Sequence, residues 1–88
     1  MKCIKVIITG HVQGVFFRSN IRELAYRNNV RGYVRNLPDG SVEACFYGKD
    51  KDVHMLLDYC KKGPTLARVK NVEVEECDEE FKGFEIRY

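Results

Sequence analysis

The sequence predicts an α+β sandwich in which two helices cover one face of a mostly antiparallel sheet. Three observations carry that expectation: strand-like alternation in several short segments, two stretches of helical apolar spacing between them, and one Asp-Gly turn. In chain order they read β-α-β-β-α-β with a short strand added at the end, the split βαβ or ferredoxin-like arrangement. Eighty-eight residues leave no room for a second core, so residues 1–88 are expected to form one domain.

The first strand is "KCIKVIIT", with Ile4, Val6 and Ile8 on one face and Cys3, Lys5 and Ile7 on the other. A loop with Gly10 and Gly14 follows. Phe17, Ile21, Leu24 and Ala25 then recur at helical spacing, with Arg18, Arg22, Glu23 and Arg27 between them, which predicts an amphipathic helix to about Asn28. "VRGYVRN" is the second strand, with Val34 and Asn36 of one parity. "LPDG" supplies the turn, and "SVEACFYG" alternates Val42, Ala44 and Phe46 against Glu43, Cys45 and Tyr47. A second helix is expected from an N-cap at Asp50 to Lys62, its apolar stripe formed by Val53, Leu56, Leu57 and Cys60, with Gly63-Pro64 ending it. "VKNVEVEE" and "FKGFEIRY" read as closing strands.

Topology turns these segments into a site. In the split βαβ arrangement the third strand lies between the first two, which therefore run the same way. Their C-terminal ends meet beside the start of the first helix, so loop 10–17 and Asn36 converge although distant in sequence. Glycines entering a helix can aim backbone N–H groups at one point, and the helix N-terminus adds about half a positive charge. Arg18 offers a planar fork to a tetrahedral anion, and Asn36 a carboxamide able to hold a water. Gln13 either lines the site or supports the loop backbone. Alone, each feature has a plainer reading, a chain reversal for the glycines and a strand-end turn for Asn36. There is no G-K-[ST], so this is not a Walker loop.

Composition narrows the partners. Fifteen Lys+Arg against 13 Asp+Glu give a net charge of +2, too little for a nucleic-acid footprint but compatible with a small anion. Tyr33 and Tyr47 on the sheet's open face could stack bases, yet no RNP-like aromatic motif accompanies them. The first strand is too short for a membrane span and does not read as a secretory leader, so a cytoplasmic protein is expected. His11 has no partner spaced to make it a general base, His54 falls on an outward helix face, and "EVEECDEE" reads as a solvated edge.

Cys3, Cys45, Cys60 and Cys77 lie far apart with no C-x-x-C, which gives zinc or redox motifs little support. Free thiols in a reducing compartment are one reading. The other is a Cys3–Cys45 disulfide, because both residues have the parity opposite to the core on antiparallel neighbours. Cys60 and Cys77 read as structural.

Two segments resemble a known family. "GHVQGVFFR" is similar to the acylphosphatase signature G-x-V-Q-G-V-x-F-R, and "GYVRNLPDGSVE" to its second signature, G-x-V-x-N-x-x-D-G-x-V-E. "GPTLARVKNVEVEE" and "GFEIR" resemble its closing segments, so the likeness spans essentially the whole chain. The resemblance implies a ferredoxin-like fold and hydrolysis of carboxyl-phosphate anhydrides to carboxylate and inorganic phosphate. It puts the catalytic arginine on Arg18, the water-orienting asparagine on Asn36, and the phosphate-binding amides on Gln13, Gly14, Val15, Phe16 and Phe17. His11 stands where many members carry arginine or another residue, a departure that leaves this assignment intact. The expected partners are an acyl phosphate and inorganic phosphate, with no cofactor, metal, nucleic acid or membrane, and the protein is expected to be a monomer. The alternative is a non-catalytic anion-sensing or interaction domain of the same fold.

Overall fold

The computed structural model describes all residues, Met1–Tyr88. Its elements are β1 (Lys2–His11), α1 (Phe17–Arg27), β2 (Arg31–Asn36), β3 (Val42–Gly48), α2 (Asp50–Lys62), β4 (Arg68–Glu76) and β5 (Phe84–Arg87). They build one five-stranded sheet in the order β4-β1-β3-β2-β5. β3 pairs antiparallel with both β1 and β2, β4 antiparallel with β1, and β5 parallel with β2. This is the ferredoxin-like sandwich with an extra edge strand. No helix is long and apolar enough to cross a membrane.

The alternation read in the strands is an alternation of face, and in β3 residues on both faces are buried. Ile4, Val6 and Ile8 from β1, Val34 from β2, and Val42, Ala44 and Phe46 from β3 point to one side. There they meet Phe17, Ile21 and Ala25 of α1 and Val53, Leu56 and Cys60 of α2. α2 carries Asp50 and Asp52 in its first turn and Lys61 and Lys62 in its last, matching the helix dipole at both ends. Lys49, not Asp50, is its N-cap. Asp50 lies one residue further in, where its carboxylate faces the helix's positive end without capping an N–H.

Two further expectations are corrected. β1 runs on to His11 through a bulge at Thr9/Gly10, so Gly10 and His11 belong to the strand rather than the loop. Gly10 is required there: a Cβ would stand 2.1 Å from the Arg68 carbonyl oxygen. The Cys3–Cys45 pairing is also replaced, because the disulfide joins Cys3 to Cys77 and leaves Cys45 and Cys60 free. The β1/β3 register sets Cys3 opposite Tyr47 and Lys5 opposite Cys45. Cys3 and Cys45 are thus diagonal neighbours, about 7–8 Å apart at Cα in such ladders and at the limit of disulfide reach. Cys77 continues the β1/β4 ladder directly opposite Cys3. Its N–H donates to the Cys3 carbonyl at 3.0 Å, and the two Cα atoms are 5.1 Å apart.

The sheet's other face is not bare. The segment between β4 and β5 folds back over it, and Phe81 packs edge-on against Tyr33 at 6.0 Å. Arg87 covers the Tyr33 ring at 4.0 Å, and the Tyr33 hydroxyl donates to Glu43 at 2.9 Å. Tyr33 is therefore buried and offers no stacking platform.

Candidate active site

β1 and β2 end side by side, and α1 begins between them. Loop 12–16 fills the gap, anchored by Val12 and Val15, whose side chains are buried in the core. Gly14 has φ 74 and Phe16 φ 65, so the chain turns through left-handed backbone twice before entering the helix. Phe16 is the helix N-cap and is exposed, a position where a non-glycine residue costs about 1–3 kcal/mol unless its surroundings enforce it. Such local strain is concentrated at binding loops.

From Gln13 through Ser19, no backbone N–H donates to a backbone carbonyl; the first to do so is Asn20, to Phe16 at 3.1 Å. The loop's turn and the helix's unpaired first turn thus leave a continuous run of free donors. Beside it lies a cavity of about 210 Å³ lined by Val12, Gly14, Phe16, Phe17, Arg18, Ser19 and Asn36. The lining holds a guanidinium and no carboxylate.

Two side chains define its polarity. Arg18, in the first turn of α1, makes no salt bridge; its guanidinium lies 5.1 Å from the ring centre of Tyr88, which backs it. Asn36, last in β2, projects into the cavity, and its Oδ1 is buried with no hydrogen-bond partner. A buried, unpaired carbonyl ordinarily costs about 1–3 kcal/mol, so it marks a place where an acceptor is held ready for a donor.

Gln13 resolves toward support. Its Nε2 donates to the Leu37 carbonyl at 2.8 Å and to the Ser41 carbonyl at 2.9 Å. It therefore ties the loop to the turn that follows Asn36. That turn is closed by Leu37 N–H donating to Ser41 at 2.8 Å and by Ser41 N–H donating to the Asp39 carboxylate at 3.0 Å. Hydrogen bonds from the Ser41 hydroxyl, at 2.5 Å, and then from its N–H hold the Asp39 carboxyl below its usual range. Neither Gln13 nor Val15 lines the cavity, whereas Gly14, Phe16, Phe17, Arg18 and Asn36 do.

Sequence reasoning missed Ser19 and Tyr88. Ser19 follows Arg18 in the helix's first turn, which was signal enough. Tyr88 meets Arg18 only through the fold. His11 and His54 are exposed and outside the cavity.

A run of free amides, a lone guanidinium and an unpaired carboxamide thus meet at one end of a ferredoxin-like frame. Comparison with known proteins gives the family. The family model described as Acylphosphatase matches residues 4–86. A protein named acylphosphatase from Syntrophus aciditrophicus is 47% identical over 92 residues, covering 100% of this chain and 94% of the relative. The structure of an acylphosphatase from Coxiella burnetii matches with a TM-score of 0.92 at 38% identity, covering 98% of this chain and 92% of that one. The acylphosphatase from Bacillus subtilis matches with a TM-score of 0.94 at 29% identity over the whole of both chains. The chain belongs to the acylphosphatase family.

Proposed function

We propose that the amides of Gln13, Gly14, Val15, Phe16 and Phe17, with Arg18, grip the phosphoryl group of an acyl phosphate while Asn36 orients the attacking water. The enzyme hydrolyses the carboxyl-phosphate bond. Water adds to phosphorus, the bond to the carboxyl oxygen breaks, and carboxylate and inorganic phosphate leave. A carboxylate departs without prior protonation, so the site needs no strong general acid. The observation that carries this reading is that Asn36, whose buried Oδ1 has no partner, lines the same cavity as Arg18 and the start of α1.

Phosphoryl transfer depends mainly on position and on stabilising charge over the equatorial oxygens. The amides and guanidinium supply that stabilisation. The Asn36 carbonyl accepts a hydrogen bond from the water, and the departing proton passes to a phosphate oxygen or solvent. Beyond Phe16 a wider groove lined by Asn20, Tyr59, Lys62 and Leu66 is open to acyl groups of differing size, so recognition rests on the phosphoryl end. The same reading makes residues 1–88 one acylphosphatase domain working as a cytoplasmic monomer, with neither nucleic acid nor a membrane as partner.

Metal-free hydrolysis of benzoyl phosphate, followed by its ultraviolet absorbance with chelator present, tests the reading. Saturable turnover that collapses in Arg18→Ala is the expected result. A folded wild-type protein that binds inorganic phosphate but does not turn over would leave an anion-sensing domain instead.

A further inference from the structure

The fold brings together three of the four cysteines on the face of the sheet opposite the helices. The Sγ of Cys45 lies 3.9 Å from that of Cys3 and 3.4 Å from that of Cys77. All three sulfurs fall within 4.8 Å of one another, and no His, Asp or Glu side chain joins them at that range. Cys45 is wholly buried, Cys3 nearly so, and Cys77 half-buried at the rim, beneath Tyr47 and Phe81. None of them touches the phosphate cavity.

We propose that this cluster, once its disulfide is reduced, is a binding site for a soft, three-coordinate monovalent ion, Cu(I). Metal–thiolate bonds of about 2.3 Å arranged trigonally set the sulfurs about 4.0 Å apart. The Cys3–Cys45 spacing already matches, and the Cys45–Cys77 spacing is about half an ångström short. Opening the disulfide lets Cys3 and Cys77 part to the same distance. The Cys77 N–H stays bonded to the Cys3 carbonyl, so the two sulfurs separate by side-chain rotation while the backbone stays in place. Three thiolates without a fourth ligand favour Cu(I) over zinc, which takes four ligands in its structural sites.

The chemistry balances in two steps. A dithiol reductant gives two electrons and two protons to the Cys3–Cys77 disulfide and itself becomes a disulfide. The three thiols then release three protons and bind one Cu(I) as a complex of charge −2. Lys5 and Arg87 are the cations whose fields reach Cys45 and offset that charge. The disulfide thus closes the site, and a reducing compartment opens it.

The test is an anaerobic titration of the dithiol-reduced, desalted protein with Cu(I), using a chromophoric Cu(I) chelator as competitor. One equivalent is expected to bind with thiolate-to-copper charge-transfer absorption, and the oxidised protein is expected to bind none. Cys45→Ser should weaken binding by more than the roughly 10–100-fold that loss of a mere outer-shell partner costs. Its rate on benzoyl phosphate should stay at the wild-type level, which shows that the variant is folded. Reduced wild-type protein that binds no Cu(I), equal affinity in Cys45→Ser, or displacement of Cu(I) by equimolar Zn(II) would each overturn the assignment.

Discussion

Replacing Asn36 by alanine sets catalysis against stability in a way the structure quantifies. The substitution deletes a buried acceptor that no protein group satisfies, relieving a cost of about 1–3 kcal/mol. Against this stands the loss of the carboxamide's contacts, about 1 kcal/mol for an ordinary substitution. The net lies between zero and about 2 kcal/mol in favour of the folded variant. In a domain of this size each kcal/mol gained raises Tm by about 4–8 °C. Turnover should move the other way. Losing one placed hydrogen-bonding group costs about 10²–10³ in kcat, or about 2.7–4 kcal/mol of transition-state stabilisation. Inorganic phosphate should inhibit wild type and variant alike, since the amides and Arg18 are untouched.

The assay pairs benzoyl phosphate kinetics and phosphate inhibition with thermal unfolding followed by circular dichroism. The expected signature is a collapsed kcat, an unchanged phosphate inhibition constant and a Tm equal to or above wild type. A Tm several degrees lower, with weakened phosphate inhibition, would make Asn36 a structural pin of the β2–β3 turn. Full turnover would refute the water-orienting role outright.

Three further outcomes follow from the same geometry. Arg18→Lys keeps one charge but loses the planar fork, so kcat/KM for benzoyl phosphate should fall about 10²-fold; wild-type kinetics would remove bidentate grip from the mechanism. Gly32→Ala sets a Cβ 1.8 Å from the Cys45 carbonyl oxygen at φ 136, a clash beyond about 4 kcal/mol, and urea titration should show little or no cooperative unfolding. Burial raises the Glu43 pKa, but hydrogen bonds from Arg35 at 2.8 Å and Tyr33 at 2.9 Å, with the charges of Arg35 and Lys5, bring it net below its ordinary value near 4.5. A depressed carboxylate pKa stabilises the fold above that ordinary value, and the gain is lost as pH falls through the folded value. Glu43→Gln should therefore be less stable by about 1–2 kcal/mol at pH 7, a modest figure because Arg35 is half exposed. The gap should close on acidification below about pH 4.5; a gap constant from pH 7 to 3 would mean the carboxylate's charge contributes nothing.

What could be read from the sequence was whatever depends on local periodicity or on one topological rule. The parity of Val34 and Asn36 and the right-handed crossover suffice to bring Asn36 to the start of α1. Features set by the meeting of distant segments were hidden. The bulge that carries β1 through Gly10 exists because β4 shifts register beside it, and nothing within "ITGHV" announces that shift. Gln13 could be read equally as lining or support, since its two acceptors lie in the turn after β2. The disulfide shows the limit most clearly. Parity correctly put Cys3 and Cys45 on one face, but register sets them diagonally. Cys77 reaches Cys3 only because β4 pairs with β1 to its last residues.

The proposed site for a highly charged phosphoryl group also suits so small a domain. Building one from buried side chains would require desolvating several polar groups, each costing about 1–3 kcal/mol when imperfectly paired, in a protein with marginal stability to spare. Here most of the donors are amides that a loop and a helix start leave unpaired in any case. Only the left-handed turn at Phe16 and the orphaned Asn36 carbonyl are added costs. Val12 and Val15 offset them from beneath, burying apolar surface directly under the loop that the strain holds open. The proposed binding surface is thus largely backbone, shaped by core packing. Enlarging a single core side chain under the loop, as in Val15→Ile, is expected to shift the amides together and to weaken phosphate inhibition before it lowers Tm appreciably.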